Sequence, residues 1–454
     1  MFNRRFAACL LFAVVPIPSL TMTAEAADKP GADAVGRDKQ QLARLRTPAV
    51  NFLRNTQGDD GSWTSPTAPG ISALVTYSLL RSGLTAKDPT VKRSLQHLQS
   101  FVQPDGGIYY AKSNHRNYET CIALLVFGAA GSDDRYDTLI TNGKKFLRGL
   151  QWDSGEGLES SDTGFGGAGY GSHERPDLSN TQFLVEALRS AGVPEDDPAM
   201  QNALLFISRC QNLESPKNTT PFSAKVNDGG FYYTPAAGGT SQAGKTANGG
   251  LRSYGSMTYA GLKSMVYAGL KSDDPRVQAA LAWIRKHYTV DQNPGLGQQG
   301  LFYYYHTFAK TLAVLEVDQL KDSDGKQHDW RADLADKLKA LQRDNGSWVN
   351  RADRWYEGDP NLSTAYALLA LSHCVHENVV VNVLSDGSIS VQYGSAKPVK
   401  SLKALERMLV QLQVARPRLP VVLRADADTE YRHVVAAMDA CRRAKILSIT
   451  IQSQ

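Results

Sequence analysis

An internal repeat constrains this chain of 454 residues more than any other feature. Its clearest copy is Phe52-Leu53-x3-Gln57-x3-Gly61-x-Trp63, and its last is Leu338-x3-Gln342-x3-Gly346-x-Trp348. Between them lie Phe146-Leu147-x3-Gln151, Phe206-Ile207-x3-Gln211 and Trp283-Ile284-x3-Tyr288, with a looser copy around Phe101-Val102-Gln103. The Gln, or its substitute, recurs after 46, 48, 60, 77 and 54 residues, a fixed unit with insertions. In each copy an amphipathic helix ends at the Gln. A Gly-rich turn with an aromatic follows, and then a second, more apolar helix. Gly supplies the left-handed backbone that such a turn requires. Helix pairs of this kind cannot bury their apolar faces alone and must stack. Six pairs make an open solenoid or a closed ring, and the repeat by itself allows both.

The chain is 42% hydrophobic and 21% charged, an ordinary globular balance. Its formal charge of +5 is too slight, and too evenly spread, to argue for nucleic acid. Asn3-Arg4-Arg5, the apolar run from Ala7 to Val15 and Ala24-Glu25-Ala26 read as a secretory signal peptide over residues 1–26. A polar linker is expected over 27–47. No later apolar run approaches the ~20 residues that span a bilayer. The expected location is the periplasm or envelope. Cys121, Cys210, Cys374 and Cys441 fall in apolar helical patterns and read as buried thiols. A disulfide remains open in an oxidising compartment. No metal or cofactor is expected.

The motif aromatic-aliphatic-x3-Gln-x(2–5)-Gly-x-Trp resembles the QW repeat of squalene-hopene and oxidosqualene cyclases, to which protein prenyltransferase β subunits are related. The resemblance covers residues 48–374. It implies a six-hairpin α/α toroid whose inner helices surround a central cavity.

Aligned on the repeat, the second helices share a hydroxyl residue: Ser72, Thr120, Thr181, Thr258, Thr307 and Thr364. The expected role of each is to cap its own helix start. In a toroid these starts converge at one mouth with partial positive charge. The candidate ligand-binding residues there are Tyr118, Glu119, Asp177, Asn180, Arg252, Tyr254, Tyr305, His306 and Asp359. The aromatic runs Tyr109-Tyr110, Tyr232-Tyr233 and Tyr303-Tyr304-Tyr305 suit sugars, prenyl chains or cations, or serve simply as packing. Glu119 and His306 are the candidate catalytic acid and base if they face each other. A lone His at a helix start is more commonly a hydrogen-bonded structural residue.

Neither familiar chemistry of the resembled families has its letters here. Class II cyclases protonate with Asp-x-Asp-Asp, which is absent, and the only Asp-x-Cys is Asp439-Ala440-Cys441, outside the toroid. Residues 212–250, with Pro216, Pro221, Pro235 and Gly238-Gly239, form a long surface insertion, a lid or a tether, read as mobile.

The grammar changes at 375. Val379 to Leu384 is β-rich, Asp386-Gly387 signals a hairpin and Ser388 to Tyr393 alternates. Leu402, Leu405, Leu409 and Leu412 mark a helix, Leu419 to Leu423 a strand, Tyr431 to Cys441 a second helix and Ile446 to Ile451 a strand. This predicts a ββαβαβ two-layer α+β domain over 375–454. From Asn378 to Gln452 it resembles the periplasmic domain of ExbD/TolR proteins. That resemblance implies a homodimer and contact with peptidoglycan or an envelope protein.

Three functions follow. The first is a non-catalytic envelope protein whose toroid binds a small-molecule, prenyl or glycan ligand, or a partner, and whose tail docks. The second is a divergent toroid cyclase, lyase or hydrolase. The third is an accessory subunit of an ExbB/ExbD-type transport system.

Overall fold

The computed structural model describes residues 39–131, 134–171, 175–374, 379–393, 395–399, 401–415, 421–446 and 449–453. The leader assigned to residues 1–26 lies outside them. Twelve long helices carry the repeat. The outer ones are α1 (Lys39–Asn55), α3 (Pro89–Gln99), α5 (Asp137–Arg148), α7 (Pro198–Arg209), α9 (Pro275–Lys286) and α11 (Trp330–Leu341). The inner ones are α2 (Pro69–Arg81), α4 (Arg116–Ala130), α6 (Leu178–Ser190), α8 (Gly255–Tyr267), α10 (Leu301–Val314) and α12 (Pro360–Leu371). Each inner helix packs on the next, and α12 packs back on α2, so the ring is closed. The six-hairpin α/α toroid is thereby established from its own contacts.

Local chemistry starts the outer helices. Asp88, Asp197 and Asp274 each precede a Pro and accept from the amide of Thr90, Ala199 or Arg276. An Asp cap with Pro at the first helical position satisfies a free amide and needs no hydrogen from the next residue. The helix α1 begins at Lys39, inside the span expected to be linker, because Leu42 and Leu45 are buried against the ring.

The repeat letters are the stitches between neighbours. Gln57 Nε2 donates to Gly61 O (3.1 Å) within its own turn and to Thr90 O (2.9 Å) at the start of the next outer helix. Gln151 does the same with Gly166 O and Ala199 O, and Gln211 with Gly229 O and Arg276 O. Gln342 closes the ring, bonding Gly346 O and Leu45 O of α1 at 2.9 Å each. Trp63 and Trp348 are buried, each donating Nε1 to the preceding outer helix, at Leu53 O and Leu338 O (2.8 Å).

The recurring hydroxyls do not cap their helices. Ser72, Thr120, Thr181, Thr258 and Thr364 sit about a turn inside, where each oxygen accepts a backbone amide of the Gly-aromatic turn, from Trp63, Ile108, Ala168, Phe231 and Trp348 respectively. Thr307 is the exception and bonds back to Tyr303 O and Tyr304 O. The turn amides, buried between helices, need a partner more than the helix start does.

The insertion is tied down rather than loose. It closes over a small core of Phe222, Tyr232 and Leu251, with Asn212 Nδ2 bonded to Leu251 O (2.7 Å) and Asn218 Nδ2 to Gln211 O (2.6 Å).

The tail domain forms β1 (Val379–Val383), β2 (Ile389–Tyr393), β3 (Ser395–Val399), α13 (Leu402–Ala415), β4 (Val421–Ala425), α14 (Tyr431–Arg443) and β5 (Ile449–Ser453). The sheet order is β3-β2-β1-β4-β5. The first three strands pair antiparallel, while β4 joins β1 and β5 joins β4 in parallel. The third strand, β3, is added to the expected ββαβαβ order. Val379, Val381, Val383, Val391 and Leu423 meet Leu405, Leu409, Leu412, Ala437 and Cys441 in a core separate from that of the ring. Among the described residues no helix is long and apolar enough to cross a membrane.

Candidate functional site

Three inner helices that read as apolar carry charge at one level of the barrel. Glu186 of α6 is 1% exposed, Lys263 of α8 0% and Lys310 of α10 3%. The Glu186 carboxylate receives both ammonium groups, Lys263 at Oε2 and Lys310 at Oε1. Lys263 also donates to Gln182 Oε1 at 2.6 Å, one turn earlier on α6. His306 lies one turn before Lys310, its ring 5.8 Å from Tyr366.

Burial alone would raise the Glu186 carboxyl, but the two ammonium groups outweigh it and hold it well below the usual carboxylate range. Burial pulls Lys263 down to about 8 against the attraction of Glu186, and lowers Lys310 as well. Burial, then the Lys310 charge, drops His306 to about 3, so its ring is neutral at ordinary pH. The two lysines thus share a single ionised carboxylate beside a neutral ring. At this level long side chains from three successive inner helices meet inside the ring.

Toward the helix starts the lining becomes aromatic. Tyr118, Tyr170, Tyr233 and Tyr303 are half-buried. Tyr118 meets Phe183 edge-on (5.2 Å between centroids), and Tyr303 meets Tyr366 the same way (5.8 Å). Tyr303 Oη lies 3.4 Å from Ser179 Oγ and 3.5 Å from Gln182 Nε2, so a polar column runs from the mouth to the charged cluster. Burial pushes the Tyr118 phenol up to about 12.

Of the residues singled out from sequence, Tyr118, Asp177 and Asn180 meet at this mouth. Asp177 caps α6, taking Asn180 N (2.9 Å) and Asn180 Nδ2 (2.8 Å); burial nonetheless raises it to about 6. Tyr254 is buried beside them, its amide bonded to Phe231 O. Asp359 caps α12 through Asn361 N and Leu362 N. Two residues point elsewhere. Arg252, just past the insertion, is exposed with Nε on Lys245 O, and the Tyr305 hydroxyl reaches outward to Val290 O (2.7 Å). Glu119 and His306 stand on α4 and α10, opposite members of the ring, and use different partners.

Glu119 staples the loop before α4, accepting Tyr110 N (3.0 Å) and Ser113 Oγ (2.7 Å). Burial raises it from 4.5 to about 7. The folded state therefore holds this proton more tightly than the unfolded chain does. That contribution is complete below pH 4.5 and is lost as the pH rises through about 7. Urea unfolding of the wild type and Glu119→Gln across this range checks it. The wild type is expected to lose stability relative to the variant as the pH rises.

Sequence reasoning missed Glu186, Lys263 and Lys310. The available signal was a charged letter within an apolar helix, as in Leu184-Val185-Glu186-Ala187-Leu188 and Phe308-Ala309-Lys310-Thr311-Leu312. Such residues are almost never fully buried unless paired. Among the described residues no group of His, Cys, Asp or Glu is placed to hold a metal, and the four cysteines there are buried free thiols.

The tail meets the ring through α13. Arg407 pairs with Asp137 (3.0 Å) and with Asp134. Gln411 lies against α4, where a Cβ on Gly128 would be 3.5 Å from its Nε2, and α13 also touches α6. Residues 375–454 match the family model of the biopolymer transport protein ExbD/TolR. The ExbD/TolR-like tail thus accounts for the final segment of the chain. None of the curated proteins compared with the chain matches it. Among solved structures, the type II terpene cyclase MstE from Scytonema is similar at 14% identity, over 74% of this chain and 98% of that one, with a TM-score of 0.45. MstE in complex with geranylgeranyl dihydroxybenzoate gives 14% identity, 74% and 97% coverage and a TM-score of 0.46. A protein from Actinoplanes gives 15%, 73%, 99% and 0.45.

Proposed function

We propose that this is an exported envelope protein that binds a ligand or partner through its toroid and docks through its ExbD/TolR-like tail, without catalysis. The observation that carries the docking half is the family match over residues 375–454. The half-buried tyrosines at the mouth support the binding half, since flat phenol faces stack on sugar rings and prenyl chains. The carboxylates at the mouth support a passive role, because Asp177 and Glu119 spend their oxygens on backbone amides and neighbouring side chains.

Calorimetric titration of the full chain with muropeptides and with polyprenyl phosphates tests the binding half. Binding of one class, weakened about tenfold or more by Tyr118→Ala or Tyr303→Ala, is expected. Co-sedimentation with peptidoglycan, and sedimentation analysis for a homodimer, test the tail. No binding by either class, with no co-sedimentation, counts against the whole reading.

One observation favours catalysis instead. Glu119 at about 7 and Asp177 at about 6 lie where a general acid works. Incubation with squalene, polyprenyl diphosphates and glycans, read by mass spectrometry, separates the two. A product that disappears in Glu119→Gln or Asp177→Asn replaces the passive reading. Co-purification with an ExbB-type channel would instead favour an accessory transport subunit, the reading that rests on the tail alone.

A further inference from the structure

We propose that the tail domain is a releasable lid on the end of the barrel where the inner helices finish, and that its release opens the axis down to Glu186, Lys263 and Lys310. This rests on the docked geometry and does not depend on the ligand reading above.

The placement of α13 comes first. It touches α6 and α10, and Gln411 reaches the α4 glycine Gly128. In the closed order α2-α4-α6-α8-α10-α12, α4 and α10 are opposite members. A helix that meets both crosses the opening. Its 14 residues extend ~21 Å at about 1.5 Å each. Six helices packed about 9 Å apart put opposite axes ~18 Å from each other. The helix is long enough to bar the opening and little longer.

Its two faces have different tasks. Leu405, Leu409 and Leu412 point into the tail's own sheet. Arg407 and Gln411, one turn apart, face the ring. The tail core and the ring core are separate apolar clusters. The named contacts across the boundary are therefore polar, and the ion pairs among them are open to water: Arg407 is 32% exposed, Asp134 66% and Asp137 51%. Exposed pairs of this kind contribute little and are screened by salt. A domain with its own core, held by such contacts, is expected to move relative to its neighbour.

What the lid covers is the charged cluster. Glu186 lies four residues before Ser190, the last residue of α6, and Lys310 lies four residues before the end of α10. Each is about one turn, ~6 Å, inside the opening. With the lid docked, these side chains are 1% and 3% exposed.

Hydrogen–deuterium exchange of the full chain tests the lid, read on peptides ending α6 and α10 and, as a control, on the tail helix α14. Arg407→Glu places like charges together. It is expected to speed exchange at the ends of α6 and α10 by about tenfold while α14 stays protected. Raised salt should move the wild type the same way, with a larger radius of gyration by X-ray scattering. Combining Arg407→Glu with Asp134→Arg and Asp137→Arg should restore protection. Unchanged exchange in Arg407→Glu at raised salt, or exchange that rises through α14 as well, overturns the proposal.

Discussion

Replacing Glu186 by Ala is expected to lower the unfolding free energy by about 3–5 kcal/mol, because two buried ammonium groups lose the carboxylate they share. Lys263 and Lys310 lie on different helices and depend on that single anion. Breaking a buried ion pair from one side costs more than removing it whole. The triple variant Glu186→Leu, Lys263→Met, Lys310→Met should therefore come within a few kcal/mol of wild type, on either side.

The pH dependence has a definite sign. In the wild type, Lys263 is held near 8, below its ordinary 10.5, so its contribution improves as the pH climbs between those values and the folded state gives up the proton first. Without Glu186 both lysines are lowered further, by burial and by each other. The deficit of Glu186→Ala should then shrink as the pH rises from about 6 to about 9.5. Urea unfolding followed by circular dichroism at several pH values reads both effects. A deficit under about 1 kcal/mol at neutral pH would mean that the cluster is not dry.

The second large effect is expected at the seam where the last repeat meets the first. Gly346 has a positive φ of 85°, and a Cβ there would lie 2.5 Å from the carbonyl carbon and oxygen of Pro48 in α1. Gly346→Ala should cost about 1–2 kcal/mol for left-handed backbone and a further 1–3 kcal/mol, roughly, for the neighbour that must move. Gly83 supplies the control, with φ of 102° and nothing within 4 Å of its would-be Cβ. Gly83→Ala should show the backbone cost alone. The difference in denaturation midpoint between the two variants measures the seam. Equal losses would show that the last turn is not pressed against α1.

Much of the ring was legible because the repeat is local. Gln57, Gly61 and Trp63 sit within seven residues, and each needs its neighbours in sequence to form the turn. The Asp caps before Pro89, Pro198 and Pro275 act just as locally, each reaching an amide two residues on. The hydroxyl series was visible as a series, yet its partner was not. The choice between a helix start and a turn amide depends on how closely helix and turn approach. The insertion looked loose through its Pro and Gly content, but Phe222, Tyr232 and Leu251 give it a core that composition does not reveal.

The candidate site was less legible. Lys263 and Lys310 meet Glu186 across 77 and 124 positions of chain, so no local pattern announces them. Glu119 and His306 looked like an acid and a base because they share a repeat position. The same ring geometry that aligns them sets their helices opposite each other.

By itself, the sequence determined six helix hairpins, their turns and the α+β tail, since caps, glycines and apolar periods act over a few residues. Tertiary structure alone decided that the hairpins close, that two lysines share one buried carboxylate, and that a tail helix crosses the end of the barrel. Those outcomes depend on burial and on contacts between distant segments, where desolvation selects a partner that no short stretch of chain can specify.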